Sequence, residues 1–141
     1  MSFQEVIETV DAYIEEQHTY FVLETLDILK KNGRLKGLKA VVATALNIKP
    51  VMGSTPEGSI QQLAQARGMK KALAKMVDEV AAKLTNPQEK ILAIAHCNCE
   101  ERAIAVKEML LTKADFKDVI ILDTAGISSM YAADGGVIIV V

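Results

Sequence analysis

Three runs of consecutive apolar residues constrain the fold more than any other feature of this chain. "ILAIA" at residues 91–95, "VIIL" at 119–122 and "VIIVV" at 137–141 are rich in β-branched residues and contain no alternating polar positions. Strands of this kind are buried on both faces of a sheet, which in α/β proteins means that helices pack on each side. The chain is therefore predicted to be α/β, a sandwich with a mixed, largely buried β-sheet covered by helices.

Between these runs, periodicity and turn residues predict the other elements. Ser2 is a suitable cap for an amphipathic helix, and Gly33 can supply the positive φ that ends a short helix begun at Thr25. Ala103, Ile104, Val106 and Leu110 are expected to face inward from the last long helix. The predicted helices cover residues 3–17, 25–31, 38–47, 70–84 and 99–113, and further strands cover 19–24, 48–54 and 58–65.

Length and charge limit the class of protein. The 141 residues correspond to one domain, and 16 Lys and Arg against 18 Asp and Glu leave a net charge of −2. No global field therefore attracts nucleic acid or an anionic membrane, so any basic partner site must be local. No apolar run approaches the roughly 18 residues of a membrane span, and the first residues lack the pattern of a signal peptide. We expect a cytoplasmic protein with a single α/β domain over residues 1–141.

The segment "AHCNCEE" brings together three residue types that can bind zinc. His96, Cys97 and Cys99 follow a strand, but strand alternation points His96 away from the two thiols, and His18 is the only other histidine. We therefore favour two packed free thiols and a packed histidine over a metal site or a Cys-His nucleophile pair. No acid pair, triad or metal set remains, so the chain is predicted not to be an enzyme and to need no metal or cofactor.

The segment "DTAGISSMYAADGGVII" is the second candidate. It follows a strand, where α/β proteins usually place ligand sites, and it offers hydroxyl groups and two adjacent glycines. It has neither a G-x-G-x-x-G pattern nor a Walker lysine, so it does not indicate a nucleotide site. Spacing alone leaves two interpretations open: a ligand loop, or a structural turn before the last strand.

Two basic clusters raise a further choice. Lysines 30, 31, 36 and 39 are typical of a solvated helix face. Arg34 differs, because it follows a glycine in a short loop and its planar guanidinium can bind carboxylate or phosphate through two hydrogen bonds. Arg67, Lys70 and Lys71 open the long helix, where cations oppose the helix dipole. That unfavourable placement suggests a partner.

Four segments in order along the chain carry a resemblance. "FVLETLDILKKNGRLKG", "LNIKPVM" with "ARGMKKAL", "IAHCNCEERA" and "ISSMYAADGG" are similar to the C-terminal half of the DegV family of fatty-acid-binding proteins. Members of that family have two domains and about twice this length. The resemblance therefore implies that residues 1–141 are the C-terminal half of a two-domain protein and that the N-terminal domain is a partner of this one.

The resemblance also implies a function. DegV-like proteins hold one long-chain fatty acid, whose acyl chain lies in an apolar tunnel largely inside the C-terminal domain, and several present its carboxylate to a fatty acid kinase. By that likeness we expect the bound acid to be the only cofactor-like group. Apolar residues of "LKAVVATALNIKPVM" and "EMLL" are expected to line the tunnel. The acyl-chain residues expected from the first segment are Val41, Val42, Leu46, Ile48 and Met52.

The head group and the kinase involve other residues. The family's head-group histidine lies in a loop that corresponds to "SSMYAADGG" here, with Met130 near the expected position of that histidine. Ser128, Ser129 and Tyr131 are candidates to bind the carboxylate instead. The family's arginines that face the kinase map onto Arg34 and Arg67, so the basic clusters are expected to be a docking surface.

Two alternatives remain. A regulatory or nucleic-acid-binding module would use the same cations, although few aromatic residues lie near them to stack on bases. An enzyme using His96 and Cys97 would show a depressed thiol pKa. The apolar surface that a missing domain would cover also leaves self-association of this half as a dimer open.

Overall fold

The computed structural model describes residues 1–35 and 47–141. In this part of the chain, six strands form one sheet in the order β3-β2-β1-β6-β4-β5. The strands are β1 (Thr19–Val22), β2 (Ile48–Ser54), β3 (Ile60–Arg67), β4 (Ile91–His96), β5 (Asp118–Asp123) and β6 (Val137–Val140). The helices are α1 (Phe3–Glu16), α2 (Asp27–Lys31), α3 (Met69–Lys83), α4 (Glu100–Leu111) and α5 (Gly126–Ala132). The α/β prediction is confirmed.

The sheet is mixed, and β6 joins its two parts. The strands β1, β2 and β3 run antiparallel to their neighbours, whereas β4 and β5 are parallel and are connected through α4. β6 pairs antiparallel with β1 on one side and with β4 on the other. As a result, the carboxyl ends of β1 and β4 and the amino end of β6 lie side by side at one end of the strands.

The main core lies between the sheet and the pair α3 and α4. Alternate residues of β1, β4 and β6 point toward these helices, because successive side chains of a strand face opposite sides of a sheet. A smaller apolar cluster lies on the opposite face, under α2 and α5, and contains Leu23, Leu29 and Ala132. The largest fully buried side chains of the main core are Met76, Leu92, Ile94, Leu110, Ile139, Val22, Val51, Val77, Val80, Val106 and Val137.

Helix α1 begins as predicted and is exposed along its whole length. The Ser2 hydroxyl accepts the amide of Glu5, whose carboxylate accepts the Ser2 amide, so both halves of a capping box are present. Its apolar residues nonetheless form an exposed stripe, with Phe3 81% and Tyr13 66% exposed. None of the described helices has the length and hydrophobicity that a membrane span requires.

Three local expectations need correction. Ile104 is 42% exposed and does not face inward, whereas Ala103, Val106 and Leu110 are fully buried. One face of β5 is open, because Ile120 and Leu122 remain exposed on the side that neither α3 nor α4 covers. The segment predicted to be a loop or a turn contains a helix, α5, between β5 and β6. The helix predicted at 38–47 lies almost entirely outside the described residues.

Candidate functional site: an apolar cavity beside α5

A cavity of about 400 Å³ lies on the face of the sheet that carries α2 and α5. Strand alternation supplies its floor, because Thr19, Phe21 and Leu23 of the β1 segment point to this face while Tyr20 and Val22 point into the main core. The remaining lining residues come from distant parts of the chain. They are Leu29, Arg34, Ile60, Ile127, Ser128, Tyr131, Ala132 and Ile138.

The chemistry of the lining is strongly asymmetric. Most of the side chains are aliphatic or aromatic, and Arg34 is the one charged residue among the described lining. Thr19, Ser128 and Tyr131 add hydroxyl groups. An apolar space with one cation and a few hydroxyls suits an elongated apolar ligand that carries one anionic group.

A regular helix ending holds Arg34 beside the cavity. The Arg34 amide donates to the Leu29 carbonyl at 2.9 Å, and the Gly33 amide donates to the Lys30 carbonyl at 3.0 Å. With Gly33 at φ 67°, these two bonds form a Schellman motif. The expectation that Gly33 ends α2 is confirmed, and the motif fixes the backbone of Arg34 while its side chain stays exposed.

Helix α5 divides the four predicted head-group residues into two pairs. Ser128 and Tyr131 are three residues apart, lie on the same side of the helix and line the cavity. Ser129 is directed elsewhere, since its hydroxyl lies 2.9 Å from the Thr124 hydroxyl. Met130 is 46% exposed and does not line the cavity.

The predicted acyl-chain residues do not line this cavity where the structure describes them. Met52 is fully buried, and Ile48 is half-buried at the start of β2. Val41, Val42 and Leu46 lie outside the described residues. In "EMLL", Leu110 packs in the main core on the opposite face of the sheet. The lining residues Phe21, Leu23, Leu29, Ile60 and Ile138 were not predicted, because only the strand order brings them together.

The turn after α5 is strained and tightly bonded. Ala133 has φ 54° and ψ 170°, at the edge of a region that glycine almost alone adopts and that costs about 1–3 kcal/mol for other residues. The Gly135 amide donates to the Cys97 carbonyl at 2.8 Å, and the Cys97 amide donates to the Gly136 carbonyl at 3.0 Å. The Asn98 side-chain amide also donates to Asp134 at 2.8 Å. These bonds explain why the strained turn persists.

A cluster of charged side chains adjoins the same turn. The Glu24 carboxylate forms ion pairs with Lys49, at 2.6 Å from its Nζ, and with Arg102, at 2.8 Å from its Nη1. Arg102 also donates a hydrogen bond to the Gly135 carbonyl at 2.7 Å. Partial burial raises the pKa of Glu24, but hydrogen bonds and charge from Lys49 and Arg102 outweigh it and hold that pKa below its ordinary value. Glu24 is therefore held as a carboxylate.

In "AHCNCEE", His96 is buried and Cys97 and Cys99 are half-buried, whereas Asn98, Glu100 and Glu101 are exposed. His96 is 5% exposed, and its Nδ1 accepts the Cys99 amide at 3.4 Å. Burial raises the pKa of the Cys99 thiol, which lies 3.4 Å from the Gly136 carbonyl. Among residues 1–35 and 47–141, no group of three or more His, Cys, Asp and Glu side chains could hold a metal ion.

The geometry thus defines an α/β domain with an apolar cavity whose described lining has one charged residue, and comparison with known proteins identifies its family. The family model described as "Uncharacterised protein, DegV family" matches residues 1–141. The chain belongs to the DegV family. A DegV domain-containing protein of Streptococcus pneumoniae strain R6 is 35% identical over 139 residues, which cover 98% of this chain and 48% of that protein.

Solved structures give the same result. A DegV family protein from Ruminococcus gnavus, refined with vaccenic acid, is 63% identical with a TM-score of 0.96, and the match covers 100% of this chain and 50% of that one. The fatty acid kinase (Fak) B3 protein of S. pneumoniae, loaded with linoleic acid, is 34% identical with a TM-score of 0.86, covering 99% and 49%. This chain spans about half the length of its relatives.

Proposed function

We propose that this chain is a fatty-acid carrier domain in which the cavity beside α5 houses part of a long acyl chain. The observation that carries the proposal is the lining of the cavity. Its side chains are mostly aliphatic or aromatic, and Arg34 is the one charged residue among the described lining. Burial of each methylene group contributes about 0.8 kcal/mol, so a long acyl chain needs few polar contacts to be retained. Two similar solved proteins hold vaccenic and linoleic acid, which supports the same ligand class.

The carboxylate would lie at the polar side of the cavity. Ser128 and Tyr131 are the head-group candidates in the lining, and Ser129 and Met130 remain predictions without a cavity contact. Val41, Val42, Leu46, Ile48 and Met52 likewise remain the acyl-chain residues that the resemblance implies. The carrier uses no chemistry of its own, so we propose a binding protein and not an enzyme.

We further propose that the chain is the C-terminal half of a two-domain protein. The relatives are about twice as long, and two apolar surfaces support a covering partner: the stripe on α1 and the open face of β5. Exposed patches of this kind mark interaction surfaces. In isolation, the same surfaces favour a dimer of this chain.

Extraction tests the ligand. The purified 141-residue chain and the two-domain protein are extracted with organic solvent, and the extract is analysed by mass spectrometry. Fatty acid in both samples supports an acyl site within this chain, and fatty acid in the two-domain protein alone means that retention requires the other half. Its absence from both would refute the carrier function.

The basic residues are proposed to dock a fatty acid kinase. Arg34 and Arg67 are both exposed, and Arg34 borders the cavity, so a docked kinase would meet the head group there. Phosphorylation of bound fatty acid by a fatty acid kinase is compared for R34E, R67E and the control K75E, whose lysine is exposed on α3. Lower phosphorylation per bound fatty acid in R67E and in R34E supports docking, and equal phosphorylation per bound fatty acid in all three variants refutes it.

The alternative, a module that binds nucleic acid, would use the same cations. The salt dependence of binding distinguishes it from the fatty-acid carrier. Contacts with phosphates predict an affinity for duplex DNA that falls steeply with salt concentration and is lowered by R34E. Binding of DNA by this route, together with no extractable fatty acid, would favour the alternative.

A further inference from the structure

The turn between α5 and β6 adjoins both the proposed ligand site and the charged cluster of Glu24, Lys49 and Arg102. On one side it follows α5, which places Ser128 and Tyr131 in the cavity lining. On the other side, the Gly135 carbonyl accepts a hydrogen bond from Arg102 of α4 at 2.7 Å. The position of the hydroxyls therefore depends on how firmly this turn is held.

Arg102 has two partners, and one nitrogen serves both. Its Nη1 lies 2.7 Å from the Gly135 carbonyl and 2.8 Å from Glu24 Oε1. The carboxylate of Glu24 thus holds the guanidinium against the turn. There is no spare room, because a Cβ at Gly135 would lie 2.6 Å from Arg102 Nη1 and 3.0 Å from Glu24 Cγ.

Glu24 is also fixed to the floor of the cavity. It directly follows Leu23, a lining residue, and its own carbonyl accepts the Lys49 ammonium at 2.8 Å. Lys49 binds the Glu24 carboxylate as well, and only 15% of the lysine side chain is exposed. Glu24 therefore connects the β1 side of the cavity to the turn that carries α5.

We propose that Glu24 is a positioning residue for the ligand head group, acting through Arg102 and the Gly135 turn to hold Ser128 and Tyr131 at the cavity. This role rests on the proposed fatty-acid function. Glu24 itself is not among the described residues that line the cavity. It sets the separation between the strand that forms the floor and the helix that supplies the hydroxyls.

The test compares binding of vaccenic acid and of the corresponding fatty alcohol to the intact protein. Glu24→Gln keeps the size of the side chain and removes its charge. We expect it to weaken binding of the acid roughly five- to thirtyfold, a factor equivalent to about 1–2 kcal/mol, and to leave binding of the alcohol within about twofold. The matched control is Glu101→Gln, an exposed neighbour of Arg102 for which no ion pair is found in the described residues.

Two further variants separate positioning from a general loss of stability. Glu24→Gln combined with Arg102→Gln should weaken binding of the acid no more than either single change, because Glu24 acts on the Gly135 turn through Arg102. Lys49→Met removes the other partner of Glu24 and leaves the bond from Arg102 to Gly135, so it should lower thermal stability with a smaller effect on the acid. Additive losses in the double variant would overturn the proposal.

Amide hydrogen exchange provides a readout that does not depend on ligand. The Gly135 amide, bonded to Cys97, should exchange at least several times faster in Glu24→Gln, whereas the Thr55 amide in the β2-β3 hairpin should be unchanged. Unchanged exchange at Gly135 would overturn the positioning role. If the wild-type protein binds neither ligand, the proposed function fails, and the Gly135 exchange rates then decide by themselves whether Glu24 holds the turn.

Discussion

Two adjacent residues of β1 allow ligand binding and stability to be tested separately. Phe21 is half-buried in the cavity lining, whereas Val22 is fully buried in the main core on the opposite face of the sheet. Replacing each by alanine therefore affects two different environments at nearly the same point of the backbone. We expect Phe21→Ala to impair ligand binding and Val22→Ala to impair folding.

The magnitudes follow from what each change removes. Val22→Ala deletes two fully buried methyl groups and leaves a hole in a close-packed core, which costs about 1.5–3 kcal/mol of unfolding free energy. For a domain of this size that corresponds to a fall in Tm of roughly 5–12 °C. Phe21→Ala enlarges a cavity that already exists, so its stability cost is smaller. It removes the aromatic contact that the proposed acyl chain would make, about 1–2 kcal/mol of binding free energy, or roughly five- to thirtyfold in Kd.

The assay is titration with a fluorescent fatty acid at a temperature where both variants are folded, with Tm measured in parallel by circular dichroism. Ile139→Val, in the main core, is a milder control that lowers Tm without altering the cavity. If Val22→Ala weakens binding as much as Phe21→Ala does, then the ligand does not occupy the cavity on the Phe21 side, and the proposed site is wrong.

Three further predictions follow from local contacts. Ser2→Ala removes the capping hydroxyl of α1, so helicity measured by circular dichroism should fall slightly while Tm stays constant, because no residue of α1 is buried; a clear fall in Tm would show that α1 packs on the domain. Lys49 and Arg102 lower the pKa of Glu24, so the contribution of this carboxylate to stability is fully present above the ordinary glutamate pKa and is lost as pH falls through the lowered value. The difference in unfolding free energy between wild type and Glu24→Gln should therefore shrink on acidification. A difference that stays constant with pH would contradict this. Burial raises the pKa of Cys99, so iodoacetamide should alkylate this thiol more slowly at neutral pH than a free cysteine, and rapid reaction would refute the packing described here.

The strands could be predicted well because their signal is local. β2, β4 and β6 coincide with their predicted segments to within a residue or two at most bounds, since apolar runs and flanking turn residues determine them directly. The short helix α5 was missed for the opposite reason. It has two serines, a glycine at its first position and no capping side chain, so its stability comes from packing of Ala132 and Tyr131 in the apolar cluster with Leu23 and Leu29.

The sequence predicted the class of ligand but not the position of the cavity. The resemblance implied a fatty acid, and Ser128 and Tyr131 were among the residues that it indicated. Phe21, Ile60 and Ile138 could not be recognised, because each is an ordinary strand residue until β1, β3 and β6 are ordered in space. Charge pairs such as Glu24 with Arg102 are equally invisible in a single sequence, since nothing local connects their positions.

The central place of β6 has a consequence for how the chain acquires its structure. During synthesis β1 and β4 are made well before β6, yet each pairs with it, so the two parts of the sheet stay separate until residues 137–140 leave the ribosome. Contacts between such distant residues slow folding, because the chain loses the entropy of loop closure before these contacts can stabilise it. Until then, the β6-facing sides of β1 and β4 are unpaired edges that can join other chains. We therefore expect variants that delay β6 pairing to reduce the yield of folded protein through aggregation more than they reduce its equilibrium stability.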